Sequence, residues 1–364
     1  MTVPSVRPDE SAVSLAAVEN LASKFRVPVG DVLLIGINLF GINSGLGRHR
    51  ARIQVRLAMN PQVVWQVIVP LNAAGSPFAL DGDELRLSGV CIGQVRRVDA
   101  DEAVGGYFRD GGRAATLNPN ARSRCVGCAF CPNTLEAAAD PRMAEDRGLA
   151  ELLTALGEQH PSGDLAQLEE VTVSTGCFER EQAAVDHLVS LRSVLTQFGI
   201  GARIGFLTSV IRSRAGFAAL SEQVAPFVLR LTAECFTRRE LLLKASKARL
   251  QVENMPSVLR EARDAGLGTS FTYIVGLDDL DALRSGVEAL APYTSEFPNF
   301  QVYQAHNQIM AGLRTAGAER LEFYLQARAV IEDLMGATGL RPAAWEGYRP
   351  LWYFSFADEP LVAA

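Results

Sequence analysis

Arg124-Cys125-Val126-Gly127-Cys128-Ala129-Phe130-Cys131-Pro132 holds three of the chain's six cysteines. So scarce a soft donor, gathered on so short a loop, reads as a ligand set. Structural zinc takes four protein ligands, and no second CxxC accompanies the stretch; the nearest downstream histidine is His160. Three thiolates are enough for three irons of a [4Fe-4S] cube, which leaves the fourth iron open to a ligand from outside the protein. A zinc site completed from a distance and three unconnected thiols are the alternatives.

The stretch resembles the radical S-adenosylmethionine (radical SAM) superfamily, whose common cluster motif is CxxxCxΦC with an aromatic Φ. Cys128-Ala129-Phe130-Cys131 reproduces the second half, whereas two residues separate Cys125 from Cys128 where the common motif has three. The resemblance implies that Cys125, Cys128 and Cys131 hold a [4Fe-4S] cluster, that SAM binds its open iron, and that the fold is a partial (β/α)6 TIM-like barrel.

Strand and helix signals agree with that fold over residues 113–310. Ala114-Ala115-Thr116-Leu117 reads as a first strand just before the cysteines, and Leu149, Leu152, Leu153 and Leu156 as a helical face. Val171-Thr172-Val173-Ser174 and Arg203-Ile204-Gly205-Phe206-Leu207 read as strands flanking a helix with Val185, Leu188, Leu195 and Phe198 on one side. Residues 227–234 and 269–279 are the fourth and fifth strands, a helix with Leu283, Val287 and Leu290 follows, and residues 300–307 supply the sixth. Strands alternating with helices indicate a parallel sheet or barrel, with every post-strand loop on one rim.

Several rim residues take roles from the resemblance. Phe130 is the aromatic of the motif. Ser174, Thr175 and Gly176, with Glu179 nearby, stand where a GGE-type motif contacts the SAM amine. Glu234 ends the fourth strand, where a polar residue contacts the SAM ribose or methionyl part; a solvent-paired carboxylate is the alternative. Ile274, Gly276 and Asp279 match a GxIxGxxE strand whose backbone supports adenine, with Thr272 in place of its first glycine. Tyr273, Tyr303, Gln304 and His306 are candidates to face the substrate, or else core residues. The resemblance implies an electron donor such as flavodoxin or ferredoxin, and the mildly acidic charge balance without RNA-binding modules favours a small-molecule substrate, a metabolite or natural-product intermediate, over a macromolecule.

The flanks read differently. Residues 31–112 form a strand-rich accessory unit with β-type runs at Val32-Leu33-Leu34-Ile35, Ile53-Gln54-Val55-Arg56, residues 63–69 and Leu85-Arg86-Leu87. The basic run Arg48-His49-Arg50-Ala51-Arg52 reads as a solvated strand face, with an anion or RNA contact as the alternative. Residues 1–30 are an N-terminal segment. Residues 311–364 are an extension, with a helix over 319–335 carrying Leu321, Tyr324, Leu325, Ile331 and Met335, and with Arg328 paired at the edge of that face. Trp345, Tyr348, Trp352, Tyr353, Phe354 and Phe356 read as a strand-like packing strap.

A formal net charge of −6 argues against general affinity for nucleic acid or anionic membranes, and no apolar run reaches the roughly 18 residues of a membrane span. The first twenty residues lack the pattern of a secretory signal, so the expected compartment is the cytoplasm, where clustered cysteines serve as ligands rather than disulfides. Cys91, Cys177 and Cys235 are singletons, which favours one cluster over an auxiliary second; sulfur insertion or electron relay would need that second cluster. No cobalamin-binding pattern is present.

Overall fold

The first described elements are two helices, α1 (Leu15–Phe25) and α2 (Val29–Phe40), in a computed structural model that describes residues 13–47, 50–73, 75–100, 107–117, 127–131, 146–173, 178–343 and 349–362. Ser14 caps α1 by accepting the Ala17 N–H at 3.2 Å. The run Val32-Leu33-Leu34-Ile35, expected as a strand, lies inside α2. Every residue from Gly30 to Leu39 is buried there, and a short apolar run buried on all sides carries no periodicity to tell helix from strand.

An antiparallel sheet follows, built from β1 (Arg50–Leu57), β2 (Trp65–Pro70), β3 (Phe78–Asp81), β4 (Glu84–Leu87) and β5 (Val90–Ala100) in the order β2-β1-β5-β4-β3. Ala51, Ile53, Val55 and Leu57 alternate into its core. Arg50 and Arg52 lie on the other face yet are only 7% exposed, so this is not the solvated face expected of the basic run. Arg48 and His49 lie outside the described residues.

The second sheet carries the barrel. Its edge strand β6 (Tyr107–Arg109), from within the span expected of the accessory unit, pairs antiparallel with β7 (Ala114–Leu117). The chain continues through α3 (Asp146–Gln159), β8 (Glu170–Val173), α4 (Glu181–Gln197), β9 (Arg203–Thr208), α5 (Arg214–Gln223) and β10 (Phe227–Glu234). Two short helices, α6 (Arg239–Leu242) and α7 (Ala245–Ala248), precede α8 (Met255–Asp264), β11 (Gly268–Val275), α9 (Leu280–Leu290) and β12 (Asn299–Val302). The order is β12-β11-β10-β9-β8-β7-β6, with β7 through β12 all parallel. This is the partial (β/α)6 barrel. Residues 303–307 leave the sixth strand short, and Phe198 caps α4 in solvent instead of lining its buried face.

The floor of the barrel is ionic. Glu170 accepts hydrogen bonds from Arg230 at 2.8 and 3.1 Å and from Arg203 at 2.7 Å, with Arg109 at 3.4 Å; Glu296 meets Arg230 at 3.3 Å. Burial by itself would raise the Glu170 carboxyl, but the Arg230 and Arg109 guanidinium groups and the Thr172 hydroxyl hold it well below the carboxylate range. Gly205 leaves room for this, since a Cβ there would come within 2.3 Å of Arg230 Nη1.

Helix α10 (Gln308–Ala311) leads to α11 (Leu321–Gly336), which packs on α2 and α9. Arg328 is not at the edge of α11's apolar face but fully buried. It donates to Asp31 at 2.7 Å, Glu332 at 2.8 Å and the Ser355 carbonyl at 2.7 Å, while Asp31 also accepts the Tyr353 and Phe354 N–H groups. Trp352, Tyr353, Phe354 and Phe356 are buried as a strap, and among the described residues its strand pairing is limited to β13 (Ser355–Phe356) with β14 (Glu359–Pro360). Trp345 and Tyr348 lie outside the described residues. Among the described residues no helix is long and apolar enough to cross a membrane.

Candidate functional site

Parallel strands β7 to β12 send their following loops to one rim, and the cysteine loop is the first of them. Cys128 is buried and Cys131 half-buried; Cys125 lies outside the described residues. Gly127, at φ +118°, adopts a backbone that L side chains rarely take. The Ala129 N–H donates to the Leu242 carbonyl at 2.9 Å, the Cys131 N–H to the Cys128 carbonyl at 3.1 Å, and the Lys244 N–H to Cys128 Sγ at 3.4 Å. Thus the segment carrying α6 and α7 is a shelf on which the loop rests. Phe130, Leu242, Leu243, Ile274, Leu277, Tyr303 and Met310 pack around Cys128 in one apolar cluster, against which Cys131 also lies.

Two soft donors on one loop, in apolar surroundings and with an N–H aimed at one sulfur, fit a thiolate-held iron-sulfur cluster. Among the described residues no three His, Cys, Asp or Glu side chains converge to hold a metal ion; Cys125, the remaining cysteine of the stretch, lies outside them. His160 does not serve: it is buried beside Phe108, with Nε2 bonded to the Gly112 carbonyl at 2.8 Å.

Around the shelf, charges are paired across loops. Lys244 pairs with Glu179, whose carboxyl it holds below the usual range, which links the shelf to the loop after β8. Lys247 pairs with Glu234 at 2.7 Å, both side chains mostly buried. Glu234 sits at φ +64°, just past a register shift in β10, so its carboxylate is aimed by strained backbone. Asp278 accepts the Phe236 and Thr237 N–H groups at 2.7 and 3.0 Å and the Tyr273 hydroxyl at 2.9 Å, clamping the loop after β10 to that after β11. Burial, then Asp278, pushes the Cys235 thiol up to about 12.

The remaining candidates divide by the face they occupy. Ile274 and Tyr303 share the apolar cluster with Cys128, and the Tyr303 hydroxyl donates to the Met310 carbonyl at 2.8 Å. Gly276 has φ +111°, and a Cβ there would fall 2.6 Å from the Tyr324 hydroxyl and 3.2 Å from Tyr303 Cβ. Tyr273 is turned to the helix layer, stacked on Phe236 at 4.8 Å with its hydroxyl taken by Asp278. Gln304 is turned to α2 and β2, donating to the Ile68 carbonyl at 2.7 Å and Asn38 at 3.2 Å. His306 is half-buried between β12 and α10, and Asp279 caps α9 through the Ala282 N–H. Ser174, Thr175 and Gly176 lie outside the described residues. Sequence reasoning missed Lys244, Leu242 and Asp278: backbone donors and acceptors have no motif, and only the doubled Asp278-Asp279 before a helix hinted at a clamp beside a cap.

No protein-family model and no curated protein sequence matches the chain. Among solved structures it is similar to SuiB from Streptococcus suis bound to S-adenosylmethionine, at 10% identity and TM-score 0.39, over 64% of this chain and 48% of that one. It is similar also to HydG, a maturase of the [FeFe]-hydrogenase, at 15% identity and TM-score 0.42, over 61% and 49%. A third is coproporphyrinogen III oxidase (HemN) from Escherichia coli, a radical SAM enzyme, at 13% identity and TM-score 0.36, over 58% and 49%. In each case the match spans about half of the other protein's length, and the likeness is one of fold.

Proposed function

We propose that the chain is a radical SAM enzyme acting on a small molecule. In this reading Cys125, Cys128 and Cys131 hold three irons of a [4Fe-4S] cluster and SAM occupies the fourth. When bound, cluster and SAM would supply reductive carbon-sulfur cleavage and, through it, hydrogen-atom abstraction from the substrate. The protein's part is to bind and orient. The Lys244 N–H stabilises the Cys128 thiolate, Phe130 and Ile274 wall the site with apolar surface, and the turn at Gly276 offers close backbone approach. Glu234, held by Lys247, and the segment Ser174-Thr175-Gly176 serve the polar parts of SAM.

One observation carries the reading: the loop after the first parallel strand carries two thiols to the barrel rim, where the Lys244 N–H meets Cys128 and the apolar cluster at the ends of β11 and β12 packs against both. A flavodoxin or ferredoxin is the proposed electron source, and biosynthesis of a metabolite in the cytoplasm the proposed setting. The test is electron paramagnetic resonance of the anaerobically reconstituted, dithionite-reduced protein. A [4Fe-4S]+ signal that changes on adding SAM is expected; a signal indifferent to saturating SAM would refute the reading.

A further inference from the structure

Arg239 opens the short helix α6, and its side chain runs between the end of β10 and α7, 7% exposed. Its guanidinium donates to carbonyls alone: Nη1 to Ala233 and to Cys235 at 2.6 Å, Nη2 to Lys247 at 3.2 Å. Among the described residues no carboxylate lies within ion-pair distance of it, whereas the buried cations Arg230 and Arg328 each hold one. Carbonyl dipoles satisfy its N–H groups but leave its charge without a counter-ion, and a buried charge in that state is costly. The anions nearby are engaged elsewhere. Glu234 pairs with Lys247 at 2.7 Å, and Asp278 accepts the Phe236 and Thr237 N–H groups and the Tyr273 hydroxyl.

Three contacts place this charge behind the cysteine loop. Cys235, whose carbonyl it grips, packs with Cys128 in one apolar cluster. Leu242, the last residue of α6, takes the Ala129 N–H and packs in the same cluster, and Lys244 just beyond turns its N–H on Cys128 Sγ at 3.4 Å. Burial pushes the guanidinium's pKa down while Cys235, Glu234, Asp278 and Cys128 act to hold it up, and arginine stays charged throughout.

We propose that Arg239 is the fixed counter-charge of the cluster, setting its reduction potential from behind Cys128 without ligating it. Reduction adds negative charge to a cluster already held by thiolates, and net charge and burial are among the factors that set its potential. A unit charge within about 8 Å favours the added electron by more than tenfold even at an effective dielectric of about 20. Arg239 thereby makes the cluster easier for the proposed electron donor to reduce. The assignment rests on the proposed function for the cluster, though not for SAM.

The test is a redox titration of the reconstituted full chain without SAM, followed by electron paramagnetic resonance of [4Fe-4S]+, with iron content and circular dichroism read on each variant. Arg239→Gln removes the charge and keeps a donor for one carbonyl; Arg239→Lys keeps the charge and loses the fork. The glutamine variant should lower the reduction equilibrium constant at least tenfold, which is 59 mV for one electron, and the lysine variant should recover most of that. Should Arg239→Gln fold but hold no iron, iron retained by Arg239→Lys at the wild-type potential supports the counter-charge equally. A fall short of tenfold in a loaded Arg239→Gln overturns the proposal, as does any result in which lysine does no better than glutamine, which would make Arg239 a strut of the shelf. Wild type that takes up no cluster overturns both this and the radical reading. Once wild type is loaded the two separate: potentials that follow the charge, with a signal indifferent to SAM, leave Arg239 standing and refute the radical reading. A SAM-responsive signal with potentials indifferent to Arg239 gives the reverse.

Discussion

The backbone N–H of Lys244 points at Cys128 Sγ from 3.4 Å, while the Lys244 side chain reaches away to Glu179. One residue therefore touches the cysteine loop with its main chain and the loop after β8 with its ammonium. Hydrogen bonds to a ligating sulfur raise the reduction potential of an iron-sulfur cluster by favouring the more negative state.

Lys244 has φ −53° and ψ 142°, a backbone that proline adopts, and Leu243 before it is extended, as a residue preceding proline should be. Lys244→Pro thus removes the donor with little distortion. A loss of about 1 kcal/mol corresponds to roughly 40 mV for one electron, so the cluster potential is expected to fall by about that much in a redox titration. Lys244→Met keeps the N–H and should shift it less. Equal shifts in the two variants would assign the effect to the side chain.

Alanine at Cys125, Cys128 or Cys131 is expected to remove most bound iron from reconstituted protein, and wild type to carry about four irons per chain. Cys235 lies fully buried in the apolar packing beneath the cysteine loop, so Cys235→Ala should leave iron content unchanged and cost about 1 kcal/mol of stability. Iron near twice the expected value, halved when Cys177 and Cys235 are both replaced, would establish a second cluster.

Gly276→Ala combines a positive φ with a Cβ 2.6 Å from the Tyr324 hydroxyl. Denaturant unfolding should show a loss of about 2 to 4 kcal/mol. Tyr324→Phe in the same background should restore part of it, since it removes the nearest atom but not the backbone strain. No recovery would mean that φ alone sets the cost.

Glu170 links stability to acid. Its carboxyl is depressed in the folded state, so on acidification the unfolded chain takes up the proton first. The contribution is complete above the unfolded value of about 4.3 and is lost as pH falls below it towards the folded value. Glu170→Gln should be less stable than wild type at pH 7 by about 3 kcal/mol, with the gap closing as pH is lowered from 5 to 3. A gap independent of pH would show that the charge of Glu170 contributes nothing.

Much of this was legible in the sequence where burial leaves a periodic trace. The six parallel strands read as apolar runs between helical stripes, and the cysteine loop follows the first of them. Helix α2 was not legible, because burial on all sides erases the stripe that marks a helix. Arg328 looked like an edge cation, since its partner Asp31 lies 297 residues away in sequence. Facing was legible only in part: Tyr273 and Ile274 are neighbours on β11, and only strand pairing and packing show that Ile274 meets the cysteine loop while Tyr273 meets the helices.

The central claim is tested most directly by incubating reconstituted wild-type protein anaerobically with SAM and dithionite and measuring 5′-deoxyadenosine by chromatography and mass spectrometry. The account predicts 5′-deoxyadenosine and methionine in equal amounts, abolished by Cys128→Ala. Cluster-loaded protein that forms neither product, with candidate small-molecule substrates also supplied, would contradict it.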